Sequence, residues 1–160
     1  MSEVVRIRWA VREDISALLQ LIREFALFER LDHSLGVSED SLENALFSSE
    51  AFCKCFIVEI EKAVVGYAIF YPCFRTFSGL KTLYLEDLYI RPGFRNGGLG
   101  KDVLKSISEY ALLNGFSRID FQVLNWNERA VGFYEPLGAK RVDGNLDYSI
   151  DIDSLKNMIK

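Results

Sequence analysis

Cysteine, histidine and proline are scarce in this chain of 160 residues, which has three cysteines, one histidine and three prolines. An odd number of cysteines does not fit a disulfide framework, and His33 is far in sequence from Cys53, Cys55 and Cys73, so a standard zinc pattern is excluded. We therefore expect free, mostly buried thiols, no metal site and no nucleophilic cysteine or serine.

Long hydrophobic runs and a basic surplus are also missing. The run from Ala63 to Tyr71 is broken by Gly66 and stopped by Pro72, well short of the roughly 20 residues that a membrane-spanning helix needs. The formal net charge is −4, whereas nucleic-acid binding needs a basic face. The first residues lack the basic and apolar segments of a secretory signal. We expect no membrane or nucleic-acid partner and a cytoplasmic location.

Hydrophobic residues make up 49% of the chain, and no segment has the composition of a linker or a repeat. A chain of this length buries enough apolar surface as one core, but too little as two. The sequence therefore predicts a single domain over residues 1–160.

Hydrophobic periodicity predicts strands and helices in a defined order. The expected elements are a strand at Val5–Ala10, helices from Ile15 and from Ser38, strands at Cys55–Ile60, Ala63–Tyr71 and Thr82–Ile90, a helix from Leu99 closed by Asn114-Gly115, a strand at Arg118–Leu124, a helix at Asn127–Glu135, a hairpin around Asp143-Gly144-Asn145 and a short C-terminal helix. This order indicates an α/β or α+β fold with helices on the faces of one sheet.

A glycine-rich loop, RPGFRNGGLG at residues 91–100, lies between an expected strand and an expected helix. Its glycines leave backbone N–H groups unobstructed at a helix N-terminus, where an anion such as a diphosphate can bind. The loop does not end in the Gly-Lys-Ser/Thr sequence that the Walker pattern needs, and it does not open the first strand–helix unit, as the dinucleotide fingerprint does. Taken alone, it is also compatible with a plain tight turn.

Two further segments, one before and one after the loop, indicate its function more specifically. Arg95-x-x-Gly98-x-Gly100 directly follows LYLEDLYI at residues 83–90, and a later segment reads WNERAVGFYEPLGA at residues 126–139. Together these segments resemble the acetyl-CoA-binding motifs of the GNAT superfamily of N-acetyltransferases. Within it they are most similar to the spermidine/spermine (diamine) and thialysine acetyltransferases.

The resemblance implies a GNAT fold: a single mixed, mostly antiparallel sheet with a splayed central strand pair and helices on both faces. It also implies acetyl-CoA as co-substrate, and a homodimer to which the C-terminal segment and the face near Trp126 contribute. Three strand residues would pair with the pantetheine arm, residues 95–101 would hold the diphosphate, and an asparagine would help position the cofactor. Carried over to this sequence, the cofactor-binding residues are Leu88, Tyr89, Ile90, Arg95, Asn96, Gly97, Gly98, Leu99, Gly100, Lys101, Asn127 and Tyr134.

Glu86 and Asp87 are adjacent carboxylates in an apolar strand, where their desolvation is costly. Their side chains should point to opposite faces unless a bulge intervenes. A carboxylate with apolar neighbours can have a raised pKa and accept a proton from an incoming ammonium group. We expect Glu86 to be the general base and, with Asp87, to contact the substrate. The alternative is that hydrogen bonds satisfy both acids and they only support the strand.

Tyr134 is the expected general acid. The resemblance places its hydroxyl facing the cofactor sulfur, and a phenol can donate a proton to a departing thiolate. Without the surrounding motif, it would be interpreted as an aromatic residue packed beside Phe133.

Glu29 and Asp120 are further acidic candidates for substrate binding. Glu29 continues the apolar stripe of the first helix, and Asp120 shares a strand face with Gln122. Such acids suit a cationic substrate.

We therefore expect an N-acetyltransferase in which a small primary amine, with a polyamine as the leading candidate, attacks acetyl-CoA directly. The nearest alternative is thialysine, lysine or another amino compound, whose carboxylate would need a cationic partner such as Arg75 or Arg129. Acetylation of protein lysines or N-termini and a catalytically silent CoA-binding sensor are the remaining alternatives.

Overall fold

A computed structural model describes residues 4–160 of the chain. Its sheet has the strand order β1-β2-β3-β4-β5. The strands are β1 Val5–Trp9, β2 Lys54–Ile60, β3 Ala63–Arg75, β4 Leu80–Ile90 and β5 Ile119–Asp120. The pairs β1–β2, β2–β3 and β3–β4 are antiparallel, whereas β5 pairs with β4 in parallel. This topology confirms the mixed, mostly antiparallel sheet.

The helices in this part of the chain are α1 Ile15–Phe28, α2 Glu39–Phe47, α3 Leu99–Leu113, α4 Glu128–Tyr134 and α5 Ile152–Met158. Ser38 caps α2 as predicted, because its hydroxyl accepts a hydrogen bond from the Ser41 N–H. Gly115, with a φ of +73°, follows the end of α3, also as predicted. None of the helices within residues 4–160 combines the length and the apolar character needed to cross a lipid bilayer.

Two apolar clusters lie on opposite faces of the sheet because alternate strand residues point to opposite sides. One cluster packs α3, through Val103 and Ile107, against Phe70 of β3. The other packs α1 and α2 against Tyr67 and Ile69 of the same strand. Helices therefore cover both faces of the sheet.

The strands β4 and β5 pair at only one end. Leu83 lies opposite Ile119 and Tyr84 opposite Asp120. From Leu85 onward, β4 continues past its pairing with β5. The pair is therefore splayed, and this stretch of β4 lies beyond the end of its parallel neighbour.

The chain divides into two compact units, the first ending at Gln122 and the second spanning Val123–Lys160. The first unit contains the sheet and α1 to α3. The second contains α4, a short 3-10 helix at Glu135–Leu137 and α5. The single domain over residues 1–160 stays a prediction.

Two predicted elements near the C-terminus are wrong. The strand expected at Arg118–Leu124 covers only Ile119–Asp120, and the segment around Gly144 forms no strand within the described residues. Alternating apolar residues form a strand only where a neighbouring strand supplies backbone partners and a surface to pack on. Here Tyr148 is 87% exposed, so its side chain packs on no such surface among residues 4–160.

Candidate active site

An irregularity in β4 determines where its two carboxylates point. Asp87 lies opposite Ile69 and Leu85 lies opposite Phe70, so Glu86 is an extra residue without a partner in the register. Such an extra residue is a β-bulge, which shifts the alternation of side chains by one position. The bulge therefore allows Glu86 and Asp87 to lie on the same face of the sheet.

Two tyrosines of β3 hold these carboxylates on the face that α1 and α2 cover. The Tyr67 hydroxyl donates a hydrogen bond of 2.9 Å to Oδ2 of Asp87. The Tyr71 hydroxyl donates one of 2.9 Å to Oε2 of Glu86. Tyrosines four residues apart on one strand share a face. The sequence motifs do not indicate either tyrosine, although their spacing of four residues on one strand is a usable signal.

Asp87 is the desolvated member of the pair. Burial raises its pKa to about 6, the hydrogen bond from Tyr67 opposes this rise, and the charge of Glu86 adds to it. Glu86 is exposed. The apolar neighbours of Glu86 in the sequence predict that its carboxylate is desolvated, but burial acts on Asp87 instead.

Glu29 follows the last residue of α1 and is half-buried. Burial, and secondarily the negative charge of Asp87, raise the pKa of its carboxyl group. Glu29 therefore interacts electrostatically with Asp87, and the structure brings three of the four predicted substrate-binding acids into one area. Such an area favours a cation.

Asp120 has different partners. Its Oδ2 accepts a hydrogen bond of 2.9 Å from Arg75, and its Oδ1 accepts one of 2.7 Å from Arg118. Although partial burial acts in the opposite direction, hydrogen bonds from Arg118 and Arg75 hold the pKa of Asp120 below its usual range. This carboxylate already has two cationic partners, so it contributes less negative charge to an amine site than Asp87 does.

The glycine-rich loop leads into the N-terminus of α3. Gly98 occupies the N-cap position with a φ of +84°, in the left-handed region that favours glycine. A Cβ added at Gly97 or Gly98 would meet no atom within 4 Å. The first N–H groups of an α-helix have no carbonyl partner in the helix. The loop residues present therefore fit a diphosphate group at this end of α3.

Arg95 packs between this loop and the end of β4. Its Nε donates a hydrogen bond of 2.6 Å to the carbonyl oxygen of Ile90. Its guanidinium lies over the rings of Phe28 and Tyr89, at 4.9 and 5.4 Å from their centroids. These contacts give Arg95 a role in holding the loop, in addition to the anion contact expected from the sequence.

In the second unit, Asn127 and Tyr134 lie at opposite ends of α4. The Oδ1 atom of Asn127 caps the helix by accepting a 3.1 Å hydrogen bond from the Ala130 N–H. The ring of Tyr134 packs edge-on against Phe133, with 4.9 Å between the centroids. Each residue therefore has a structural contact besides its predicted role in the reaction.

The cysteines at positions 53, 55 and 73 are free thiols. Burial raises the pKa of Cys55, which keeps this thiol neutral at physiological pH. In the part of the chain that the structure describes, no group of three or more His, Cys, Asp or Glu side chains is placed to hold a metal ion.

The chain is similar in sequence to a known protein family and to several characterised proteins. The profile of the acetyltransferase (GNAT) family matches residues 15–139. Thialysine N-epsilon-acetyltransferase of Mus musculus is 34% identical over 164 aligned residues, which cover 96% of each chain. Spermidine/spermine N(1)-acetyltransferase-like protein 1 of Homo sapiens is 29% identical over 84% of this chain and 20% of its own length. An integron cassette protein from the mobile metagenome of V. cholerae has the same fold, with a TM-score of 0.79, 22% identity and 98% coverage of each chain.

Proposed function

Because the chain belongs to the acetyltransferase (GNAT) family, we propose that it transfers the acetyl group of acetyl-CoA to a primary amine of a small cationic substrate. The observation that carries this proposal is the pair of carboxylates, Glu86 and Asp87, that two tyrosines hold on one face of the sheet. Glu29 adds a third acid nearby. A partly buried cluster of like charges raises the local concentration of an oppositely charged substrate.

Acetyl-CoA supplies the acetyl group as a thioester. The backbone of Leu88, Tyr89 and Ile90, on the stretch of β4 beyond β5, would bind the pantetheine arm. Residues 95–101 would hold the diphosphate through the loop and the first turn of α3. Asn127, carried over from the resemblance, would help to position the cofactor.

Asp87 and Glu86 would bind and orient the substrate ammonium group. The sequence alone favours Glu86 as the proton acceptor. We propose Asp87 for this role, because a pKa of about 6 makes it a stronger base than an ordinary aspartate. Glu86, as the exposed neighbour, would orient the amine and pass the proton to solvent.

Two other groups would complete the reaction. A backbone N–H near Leu88 would stabilise negative charge on the acetyl oxygen as the amine attacks. The Tyr134 hydroxyl would protonate the departing thiolate. The protein would otherwise act by holding the two reactants in the correct orientation.

The test is release of free thiol by the purified protein with spermidine, spermine, putrescine, thialysine, lysine and a lysine peptide, with products identified by mass. Turnover with a small amine would support the proposal. Tight binding of acetyl-CoA without turnover on any of these amines would overturn it and favour a CoA-binding sensor. The homodimer implied by the resemblance is part of the proposal and is checked by light scattering.

A further inference from the structure

An ion pair joins α1 to the first residue of the glycine-rich loop. The carboxylate of Glu24 accepts two hydrogen bonds from the guanidinium of Arg91, one of 2.9 Å from Nε and one of 2.8 Å from Nη2. Two parallel bonds of this kind fix the orientation of both groups. The hydrogen bonds from Arg91 lower the pKa of Glu24, although partial burial opposes this. The pair therefore stays charged at physiological pH.

The other contacts of Arg91 also direct its guanidinium toward the protein. Its Nη1 donates a hydrogen bond of 3.2 Å to the carbonyl oxygen of Val64. Its backbone N–H donates one of 2.9 Å to the carbonyl oxygen of Val65. Each of the three guanidinium nitrogens thus has an acceptor in α1 or β3. These contacts favour a role for Arg91 in anchoring the loop over a direct contact with an anion.

A second contact with α1 holds the loop a few residues further along. Phe28 lies one helical turn after Glu24, on the same side of α1, and the guanidinium of Arg95 lies over its ring, 4.9 Å from the centroid. Between Arg91 and Arg95 the chain forms a single 3-10 turn at Pro92–Phe94. Helix α1 therefore holds both ends of this turn.

The residues after this turn connect two fixed points. Asn96 and Gly98 have positive φ angles of 71° and 84°, so the chain changes direction sharply before α3. The start of α3 is fixed because Leu99 and Val103 are buried in the core. A loop that is held at both ends binds an anion without first having to be ordered. Release of the end at α1 would let the loop N–H groups leave the arrangement in which they converge on an anion.

We propose that Glu24 is a positioning residue for the cofactor, because it holds the glycine-rich loop, through Arg91, in the conformation that binds diphosphate. This inference rests on the proposed binding of acetyl-CoA at this loop. The charge of Glu24 by itself has the opposite effect, since a carboxylate near the loop repels an anionic cofactor. Neutralising Glu24 therefore distinguishes the two effects: loss of positioning weakens cofactor binding, whereas loss of repulsion strengthens it.

Calorimetric titration of wild type and Glu24→Gln with acetyl-CoA is the test. We expect Glu24→Gln to raise the dissociation constant by about 3- to 10-fold, because the loop must then be ordered on binding. The stoichiometry of binding should be unchanged, whereas partial unfolding of the variant would lower it. In steady-state kinetics, KM for acetyl-CoA should rise by about 3- to 10-fold, while kcat at saturating acetyl-CoA should change by less than about 2-fold.

A double-mutant cycle shows whether Glu24 acts through Arg91. In the Arg91→Gln background, Glu24→Gln should change the dissociation constant by less than about 2-fold, because its partner is already missing. The matched control is Glu43→Gln, which removes a carboxylate of α2 that pairs with Arg12. The side chain of Glu43 is 33% exposed and that of Glu24 32%. This control should leave the dissociation constant unchanged.

Two results would overturn the positioning role of Glu24. One is an unchanged or lower dissociation constant in Glu24→Gln, and the other is an equal loss of affinity in the Arg91→Gln background. Tight binding of acetyl-CoA without thiol release with any amine would overturn the proposed acetyl transfer but leave the role of Glu24 in place. A wild-type protein that binds no acetyl-CoA would overturn both.

Discussion

The hydroxyl of Tyr67 donates a hydrogen bond of 2.9 Å to the Oδ2 atom of Asp87. Tyr67 has no exposed surface, and burial together with the negative charge of Asp87 raises its pKa well above the usual range. Tyr67 therefore remains a protonated donor at physiological pH. The bond stabilises the ionised form of Asp87 and opposes the burial that raises the pKa of this carboxyl group to about 6. Tyr67 is therefore one of the groups, with burial and the charge of Glu86, that determine the pH at which Asp87 ionises.

Replacement of Tyr67 by phenylalanine should shift the pH dependence of acetyl transfer. Loss of the donor removes an interaction that lowers the pKa of Asp87, so the acidic limb of kcat/KM should move from about 6 to a higher pH. At pH 6.5 the rate should fall by about 3- to 10-fold, whereas at pH 8 it should stay near the wild-type value. The measurement is kcat/KM against pH from 5 to 9. Tyr71→Phe, which removes the donor to Glu86, should leave the acidic limb in place; an unshifted limb in Tyr67→Phe would contradict the assignment of Asp87.

Replacement of Asp87 by asparagine should change how stability depends on pH. The native carboxyl has a pKa of about 6 against an ordinary 3.8, so the folded protein binds this proton more tightly than the unfolded chain. The stabilisation from this proton is complete below pH 3.8 and is lost as pH rises through 6. The free energy of unfolding of Asp87→Asn relative to wild type should therefore increase by about 1–3 kcal/mol between pH 4 and pH 7.

Urea denaturation at a series of pH values measures this difference. Asp102→Asn, which removes an exposed carboxylate in the first turn of α3, serves as the control for the loss of one negative charge. A constant difference between wild type and Asp87→Asn across this range would show that the Asp87 carboxyl is not desolvated.

Tyr134→Phe should reduce turnover without weakening cofactor binding. The change removes one hydroxyl group and keeps the ring contact with Phe133. Loss of a general acid typically costs about 100-fold or more in kcat, while the dissociation constant for acetyl-CoA should change by less than about 2-fold. Steady-state kinetics and calorimetric titration separate the two quantities. A kcat equal to that of wild type would remove Tyr134 from the acid role.

Gly98→Ala tests the loop at the start of α3. The φ of +84° is strained for alanine, at a cost of about 1–2 kcal/mol, and the added methyl group would project into the open space beside the N–H groups. We expect the dissociation constant for acetyl-CoA to rise by about 10-fold. Gly36→Ala is the matched control, because no atom lies within 4 Å of its added Cβ and no positive φ is recorded there. Equal affinity in the two variants would argue against the loop as the diphosphate site.

The parts of the fold that the sequence predicted correctly depend on residues close together in the chain. Ser38 caps α2 through a residue three positions later, and Gly115, with its positive φ, follows the end of α3. The C-terminal hairpin, predicted from the turn residues Asp143-Gly144-Asn145 and the strand-like segments around them, does not form in the described residues, because a strand also requires a partner strand to pair with.

The candidate site was predictable in composition but not in arrangement. The sequence motifs identified Glu86, Asp87 and Tyr134 as candidate site residues from their neighbours in the chain. They did not indicate that Tyr67 and Tyr71 donate to the two acids, because these contacts depend on the register between β3 and β4.

The sequence by itself determined the family, the order of most elements and the glycine-rich loop before α3, because propensity, capping and motif spacing are local properties. Only the tertiary structure decided that a bulge brings Glu86 and Asp87 to one face, that burial acts on Asp87, and that Arg75 meets Asp120. Register, burial and ion pairing depend on which distant residues meet, and 45 positions separate Arg75 from Asp120.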